Sequence, residues 1–135
     1  MIEPLKLIVA GTRTFKDYKL LEDALSYRYL QSCCWWTRYD AKAWEIVSGG
    51  APGADTLAVE FATERNIPFK IFPADWQKHG RAAGPIRNKQ MAEYADAAIV
   101  FWDGKSHGAQ NMIQQMREAG KPVQVVIYPK ENSNG

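Results

Sequence analysis

The octapeptide SGGAPGAD, residues 48–55, is the stretch whose composition most clearly suggests binding chemistry. It follows the apolar run WEIV and precedes a segment with helical periodicity. A glycine-rich turn that enters a helix presents backbone N–H groups and the positive end of the helix dipole, so it can bind a phosphate. Its spacing matches neither the dinucleotide-binding fingerprint nor the P-loop. A compact turn with Asp55 as helix cap is the alternative, and the octapeptide alone does not decide between them.

Three further polar loops carry cations that suit an anionic ligand. They are GTRTF (11–15), PADWQKHGRAAGPIRN (73–88) and WDGKSHGAQN (102–111). Arg13, Arg81 and Arg87 can each bind a phosphate in a bidentate manner, or form an ordinary surface ion pair. We expect Arg87 in the first turn of a helix, where the dipole disfavours a cation. A cation at that place indicates either a bound anion or a specific carboxylate partner.

The same loops contain aromatic and titratable side chains. Trp76 and Trp102 can stack on a base, and core packing is the competing interpretation. His79 and His107 can act as an acid or a base, although a lone histidine is more often a solvated surface residue.

Two carboxylates are candidates for catalysis. Asp55 and Glu60 are the acid/base candidates if the protein hydrolyses an N-glycosidic or phosphoester bond. No acid/base pair stands out, so we expect no high turnover. No His, Cys, Asp or Glu residues have metal-ligand spacing, so we expect no transition metal.

The elements that must position these loops alternate between strand and helix. Strands are predicted at 4–11, 44–50, 66–74, 96–102 and 122–128. Helices are predicted at 18–30, at 54–65, in a segment whose first turn holds Pro85, and at 107–120. This alternation predicts one α/β domain over residues 1–128, with a doubly wound, mostly parallel five-stranded sheet and a polar tail at 129–135. Ligands bind such sheets outside the carboxyl ends of the strands, where the four polar loops lie.

Composition restricts the classes of protein to which the chain can belong. The 135 residues carry a net charge of +2, which is too mild to indicate nucleic-acid binding without a localised patch. No apolar run approaches the ~20 residues of a membrane span, and no signal peptide is recognisable, so a cytoplasmic protein is expected. Cys33 and Cys34 are expected to be free thiols, and Trp35 and Trp36 are expected in the core or at a subunit interface.

The motifs VAGTRTF, SGGAPGAD, FPADWQKHGRAAGPIRNKQM and WDGKSHGAQNMIQQMREAGKPV together resemble the SLOG superfamily, in particular its small YspA/YpsA-related members. The resemblance covers residues 5–127 and implies a Rossmann-like sheet, a nucleotide-derived ligand at the loops and a homo-oligomer. The superfamily includes the LOG phosphoribohydrolases. The positions that match its motifs are Gly11, Thr12, Arg13, Phe15, Ser48, Gly49, Gly50, Gly53, Asp55, Arg81, Gly84, Arg87, Asn88, Gly108 and Asn111.

Two departures from the superfamily pattern leave catalysis open. Ala109 stands where relatives carry a threonine, so a hydroxyl that can hold a phosphate is absent. The chain also lacks the PGGxGTxxE signature of the LOG hydrolases, and Glu60 lies after a different loop. The leading hypothesis is therefore a protein that senses, sequesters or processes a nucleotide-derived small molecule. SGGAPGAD is also similar to the glycine-rich loop of DNA-processing protein A, so single-stranded nucleic-acid binding is the alternative. A structural partner that has lost ligand binding is the third.

Overall fold

The computed structural model describes residues 4–25 and 40–128. The five strands are β1 (Pro4–Gly11), β2 (Asp40–Ser48), β3 (Phe69–Ile71), β4 (Ala97–Trp102) and β5 (Val123–Ile127). The helices are α1 (Tyr18–Leu25), α2 (Ala54–Glu64), the four-residue α3 (Trp76–His79), α4 (Ala83–Tyr94) and α5 (His107–Glu118), with a 3₁₀ turn at Gly80–Ala82. No helix in this part of the chain has both the length and the apolar character that crossing a bilayer requires.

All five strands are parallel and lie in the order β3-β2-β1-β4-β5. The chain proceeds outward from β1 in one direction and then returns to add β4 on the other side of β1. The loops after β1 and β4 therefore diverge at a topological switch point, which is where open α/β sheets bind ligands. The predicted Rossmann-like fold is confirmed, and the sheet is wholly parallel among the described strands.

Helices cover both faces of the sheet because the central strands are apolar on both faces, as buried parallel strands are. On one face, Leu7, Val9 and Phe101 pack with α1 and α2. On the other face, Ile8 and Val100 pack with α4 and α5. These two cores fix the helices whose first turns border the carboxyl edge of the sheet.

The element bounds differ from the sequence prediction where proline and short polar segments intervene. Strand β3 has only three residues, because Pro68 has no N–H to donate and contributes only its carbonyl oxygen, to the N–H of Ile46. The polar segment before Pro85 forms α3 and the 3₁₀ turn rather than an irregular loop. Cys33, Cys34, Trp35 and Trp36 lie outside the described residues.

Phe15 belongs to the hydrophobic core rather than to an exposed loop surface. It is 1% exposed, and its ring stacks on Phe101 at 4.8 Å and meets the edge of Tyr128 at 4.6 Å. Its N–H donates to the carbonyl oxygen of Thr12 at 3.0 Å, which closes the turn after β1. Phe15 therefore anchors this turn from beneath.

Replacing Phe15 by alanine is expected to lower the free energy of unfolding by about 3–5 kcal/mol, because a buried aromatic ring leaves a cavity. Urea denaturation measures this loss. Thr14→Ala, a change at the exposed neighbouring position, is the matched control and should stay within about 0.5 kcal/mol of wild type. A loss below about 1 kcal/mol for Phe15→Ala would contradict the packing described here.

Candidate functional site

A cavity of about 440 Å³ opens at the carboxyl edge of the sheet. The turn after β1, the loop after β2, the start of α4 and the first turns of α5 form its walls. The predicted site residues that line it are Gly11, Thr12, Arg13, Asp55, Arg81, Gly84, Arg87, Asn88, Gly108 and Asn111. The structure thus brings together residues that are up to 100 positions apart in the chain.

The other predicted site residues lie outside the cavity wall. Phe15 is in the core, and Glu60 is exposed on α2. Ser48, Gly49, Gly50 and Gly53 form the loop behind Asp55. Glu60 is therefore not placed to act with Asp55 on a ligand bound in the cavity.

Gly49 is held between two charged side chains. Its N–H donates to Asp55 Oδ2 at 2.8 Å, and its carbonyl oxygen accepts from Arg87 Nη1 at 2.7 Å. A Cβ at this position would lie 2.3 Å from Arg87 Nη1 and 2.8 Å from Asp55 Oδ2. A side chain at residue 49 would displace the Arg87 guanidinium or the Asp55 carboxylate, so glycine preserves this arrangement. The Gly49 N–H is therefore already bonded within the protein.

The rest of the octapeptide shapes the loop. Ser48 Oγ donates to the carbonyl oxygen of Asp55 and accepts from the N–H of Gly50, both at 3.0 Å. Gly53 has φ +91°, and a Cβ there would lie 2.4 Å from the carbonyl oxygen of Thr12. Gly53 therefore lets this loop pack directly on the turn after β1.

Asp55 does not cap α2 in the manner expected. The N-cap of α2 is Gly53, which makes no side-chain capping bond, and Asp55 is the second helical residue. Its side chain turns back to bond Gly49, and only 4% of the residue is exposed. Burial raises the pKa of Asp55 from 3.8 to about 6, although Arg87 and the loop N–H groups act in the opposite direction.

Helix α4 begins at Ala83, so Arg87 lies in its second turn and not in its first. The dipole argument from the sequence therefore does not hold. Arg87 is 9% exposed, and its guanidinium bonds the carbonyl oxygen of Gly49 and, at 3.0 Å, Asn88 Oδ1. Burial lowers the pKa of Arg87 and the charge of Asp55 raises it. Of the two sequence alternatives, the structure supports the carboxylate partner in part, because the charge of Asp55 acts on Arg87 while both side chains bond the Gly49 peptide group.

Asn88 continues this network toward α5. Its Nδ2 donates to Asn111 Oδ1 at 3.0 Å and to the carbonyl oxygen of Gly108 at 3.4 Å. The residue is 6% exposed. The loop after β2, α4 and α5 are therefore tied together by one set of polar side chains.

The first turn of α5 is prepared by the loop after β4. Asp103 accepts the N–H groups of Lys105 and Ser106, both at 2.8 Å, and these bonds hold its pKa below the usual value. Ser106 is the N-cap, and its hydroxyl accepts from the N–H of Ala109. A Cβ at Gly108 would meet no atom within 4 Å, so the cavity reaches the helix backbone there. This turn combines open space with the positive end of a 12-residue helix.

Cationic and aromatic groups surround the cavity mouth. Arg13, Arg81 and His107 are exposed cavity residues, and Trp76 is 49% exposed. Asp55 is the acidic residue among the described cavity residues, against three arginines. The sequence analysis did not propose Ala51, Pro85, Met91 or Ser106 as site residues, although all four line the cavity. The first three have no polar side chain to mark them, and Ser106 is the N-cap of α5.

Two further loop residues named in the sequence analysis, His79 and Trp102, lie away from the cavity. His79 does not line the cavity. Trp102 lines a separate groove between α5 and β5, and its Nε1 donates to the carbonyl oxygen of Ser106 at 3.0 Å. Trp102 thus supports the loop before α5.

Comparisons with known proteins agree with this architecture. A model of the YAcAr family, described as the YspA, cpYpsA-related SLOG family, matches residues 5–79, more than half of the chain. The chain belongs to the YAcAr family. The chain is also similar in sequence to the gene 61 protein of Mycobacterium phage D29. The two are 32% identical over 124 residues, which cover 87% of this chain and 93% of the phage protein. The YAcAr match covers the first two loops and ends before Arg81, Arg87 and Asn111.

Two solved structures share the fold of this YAcAr protein. DNA processing protein A of Streptococcus pneumoniae superposes with a TM-score of 0.69 at 18% identity, over 97% of this chain and 52% of that one. DNA processing protein A of Helicobacter pylori, which binds single-stranded DNA, has a TM-score of 0.68 at 20% identity, over 97% of this chain and 69% of that one. The chain thus spans about half of the streptococcal protein, and these likenesses show the fold.

The raised pKa of Asp55 predicts how stability depends on pH. Between pH 4 and 6 the folded state keeps the Asp55 proton that the unfolded state has already released, so the free energy of unfolding falls as pH rises. The difference from 3.8 to about 6 corresponds to a loss of about 3 kcal/mol at about 1.4 kcal/mol per pKa unit.

Asp55→Asn keeps an oxygen for the Gly49 N–H and removes the titration. We expect the free energy of unfolding of Asp55→Asn to increase by about 3 kcal/mol relative to that of the wild type as the pH rises from 4 to 7. Urea denaturation at several pH values measures it. Parallel pH profiles for the two proteins would contradict the raised pKa.

Proposed function

We propose that this YAcAr protein binds a nucleotide-derived, anionic small molecule, in the cytoplasm, in the cavity at the carboxyl edge of the sheet. The observation that carries the proposal is the cavity itself, which has a volume of about 440 Å³ and is lined by three arginines and one buried aspartate. Small-molecule sites occupy roughly 300–1,000 Å³ and are concave with a few placed polar groups. A mononucleotide has the size and charge for this space.

The anionic end of the ligand is best accommodated at α5. The amide of Gly49 and the guanidinium of Arg87 are already bonded within the protein. The first turn of α5 has open space at Gly108, and the exposed side chain of Arg81 lines the same cavity. The octapeptide after β2 then serves as the wall that holds Asp55, while α5 takes the phosphate.

Binding is better supported than turnover. Asp55 has a pKa of about 6, which suits a general acid or base in the hydrolysis of an N-glycosidic or phosphoester bond. Its carboxylate already accepts the N–H of Gly49, and Glu60 is exposed on α2, outside the cavity wall. We therefore propose a binding protein in which any hydrolysis depends on Asp55 alone.

A thermal-shift series with nucleoside 5′-monophosphates, dinucleotides and cyclic nucleotides tests the proposal. A ligand at 100 times its Kd stabilises the folded state by about 2.7 kcal/mol. We expect the Tm of the wild-type protein to rise by about 5–10 °C at that concentration. Gly108→Val places two methyl groups in the open space beside α5 and should abolish the rise.

Gln110→Val is the matched control, because it puts the same side chain on an exposed position of the same helix outside this cavity. It should respond to ligand as the wild type does. If no nucleotide raises the wild-type Tm at millimolar concentration, nucleotide binding is wrong.

Single-stranded DNA binding is the second candidate, because the H. pylori protein with this fold binds single-stranded DNA. It requires an extended basic surface, and a net charge of +2 gives it little support. DNA affinity that falls steeply with salt and survives Gly108→Val would favour DNA over a nucleotide.

We also propose a homo-oligomer, because both edges of the sheet expose large apolar side chains. Phe69 and Ile71 are 41% and 44% exposed on β3, and Ile127 is 55% exposed on β5. Unprotected edge strands with apolar residues favour pairing with another chain.

Light scattering is expected to give a mass at least twice the 15.3 kDa of one chain. Ile127→Lys and Ile71→Lys place a charge at either edge, and one of them should yield a monomer. A wild-type monomer at micromolar concentration would contradict the proposal.

A further inference from the structure

We propose that Arg13 and Trp76 form a clamp for a planar aromatic ring, so that the site selects ligands that carry a nucleobase over plain sugar phosphates. This inference rests on the proposed function and specifies the other end of the same ligand. Arg13 follows β1, and Trp76 begins α3, so the two side chains meet across the cavity mouth. The guanidinium carbon of Arg13 lies 5.7 Å from the centre of the Trp76 ring.

Trp76 begins a capped helical turn beside the cavity. The side chain of Asp75 accepts the N–H of Lys78 at 3.1 Å, and the Asp75 carbonyl oxygen accepts the N–H of His79 at 3.0 Å, so the single turn of α3 is capped. A Cβ at Gly84 would lie 3.5 Å from Trp76 Cη2, so the ring edge rests against the start of α4. The ring is nevertheless 49% exposed, which leaves surface for a ligand.

Arg13 combines a fixed backbone with a mobile side chain. Its carbonyl group packs against Gly53, where a Cβ would lie 2.8 Å from the Arg13 oxygen. The neighbouring residue Thr12 is 6% exposed, and its carbonyl oxygen accepts from Phe15. The Arg13 side chain itself is exposed, so its guanidinium can move relative to the indole while its Cα stays in place.

The spacing suits insertion of one ring. Direct stacking of two planar groups brings them to about 3.5–4 Å, so a ring between guanidinium and indole needs about 7–8 Å. The observed 5.7 Å lies between these values, and rotation about the long Arg13 side chain supplies the remaining ~2 Å. A base gains stacking on both faces and a cation–π contact, whereas a sugar gains neither.

Trp102 provides the internal contrast. It is a partly buried tryptophan whose Nε1 donates to Ser106, and it lines the groove beside β5. It is outside the cavity that holds Arg13 and Trp76. A tryptophan substitution there changes the intrinsic fluorescence without touching the clamp.

Titration calorimetry and tryptophan fluorescence with four nucleoside 5′-monophosphates, ribose 5-phosphate and inorganic phosphate test the clamp. The wild-type protein should bind at least one nucleotide tenfold or more tightly than ribose 5-phosphate, with quenching of fluorescence. Trp76→Leu should lose about tenfold in nucleotide affinity and lose the quenching, while its affinity for ribose 5-phosphate stays within twofold.

Arg13→Lys keeps the charge and removes the planar guanidinium, so it should weaken nucleotide binding severalfold and spare ribose 5-phosphate. Gln110→Val, the control outside this cavity, should retain both affinities and the quenching. Equal wild-type affinity for nucleotides and ribose 5-phosphate would overturn the clamp and leave the proposed anion site standing. An equal loss of both ligands in Trp76→Leu would also overturn it. Failure of every probe to bind the wild-type protein would overturn the proposed function and the clamp together.

Discussion

The peptide group of Gly49 is the joint on which the carboxyl edge of the sheet depends. Its N–H and carbonyl oxygen are bonded by Asp55 and Arg87 in opposite directions, at 2.8 and 2.7 Å. These two bonds tie the loop after β2 to α2 and to α4, and Asn88 extends the tie to Asn111 on α5. A cavity built from four separate loops keeps its shape because its walls share this one network.

The network fixes the shape of the site, but burying the charges of Asp55 and Arg87 costs solvation free energy. Desolvation dominates the pKa of both Asp55 and Arg87, which means that their mutual attraction does not fully offset removal from water. Buried ionic groups of this kind contribute little net stability but fix geometry. We therefore interpret Arg87 as a positioning residue. The arginines that remain exposed at the cavity are Arg13 and Arg81.

The cavity lies at the carboxyl edge of a fold that is also found outside this family. DNA processing protein A shares the sheet, and the likeness at 18–20% identity concerns the fold. In this YAcAr protein the features of the cavity are its volume of about 440 Å³, the open helix end at Gly108 and the half-exposed Trp76. Gly108 and Trp76 lie in the first turns of α5 and α3, directly after the loops that follow β4 and β3, on a scaffold that the strands hold rigid.

The sequence by itself determined the alternation of strands and helices, the parallel sheet and the edge where polar loops gather, because period and glycine placement are local properties. It also identified most of the cavity residues. Only the tertiary structure decided their roles. Phe15 proved to be core, Glu60 lay on another surface, and Asp55 bonded Gly49 instead of capping α2. The Asp55–Gly49–Arg87 arrangement joins residues 38 positions apart. No local pattern encodes such a contact, because it depends on how two helices pack on opposite faces of one sheet.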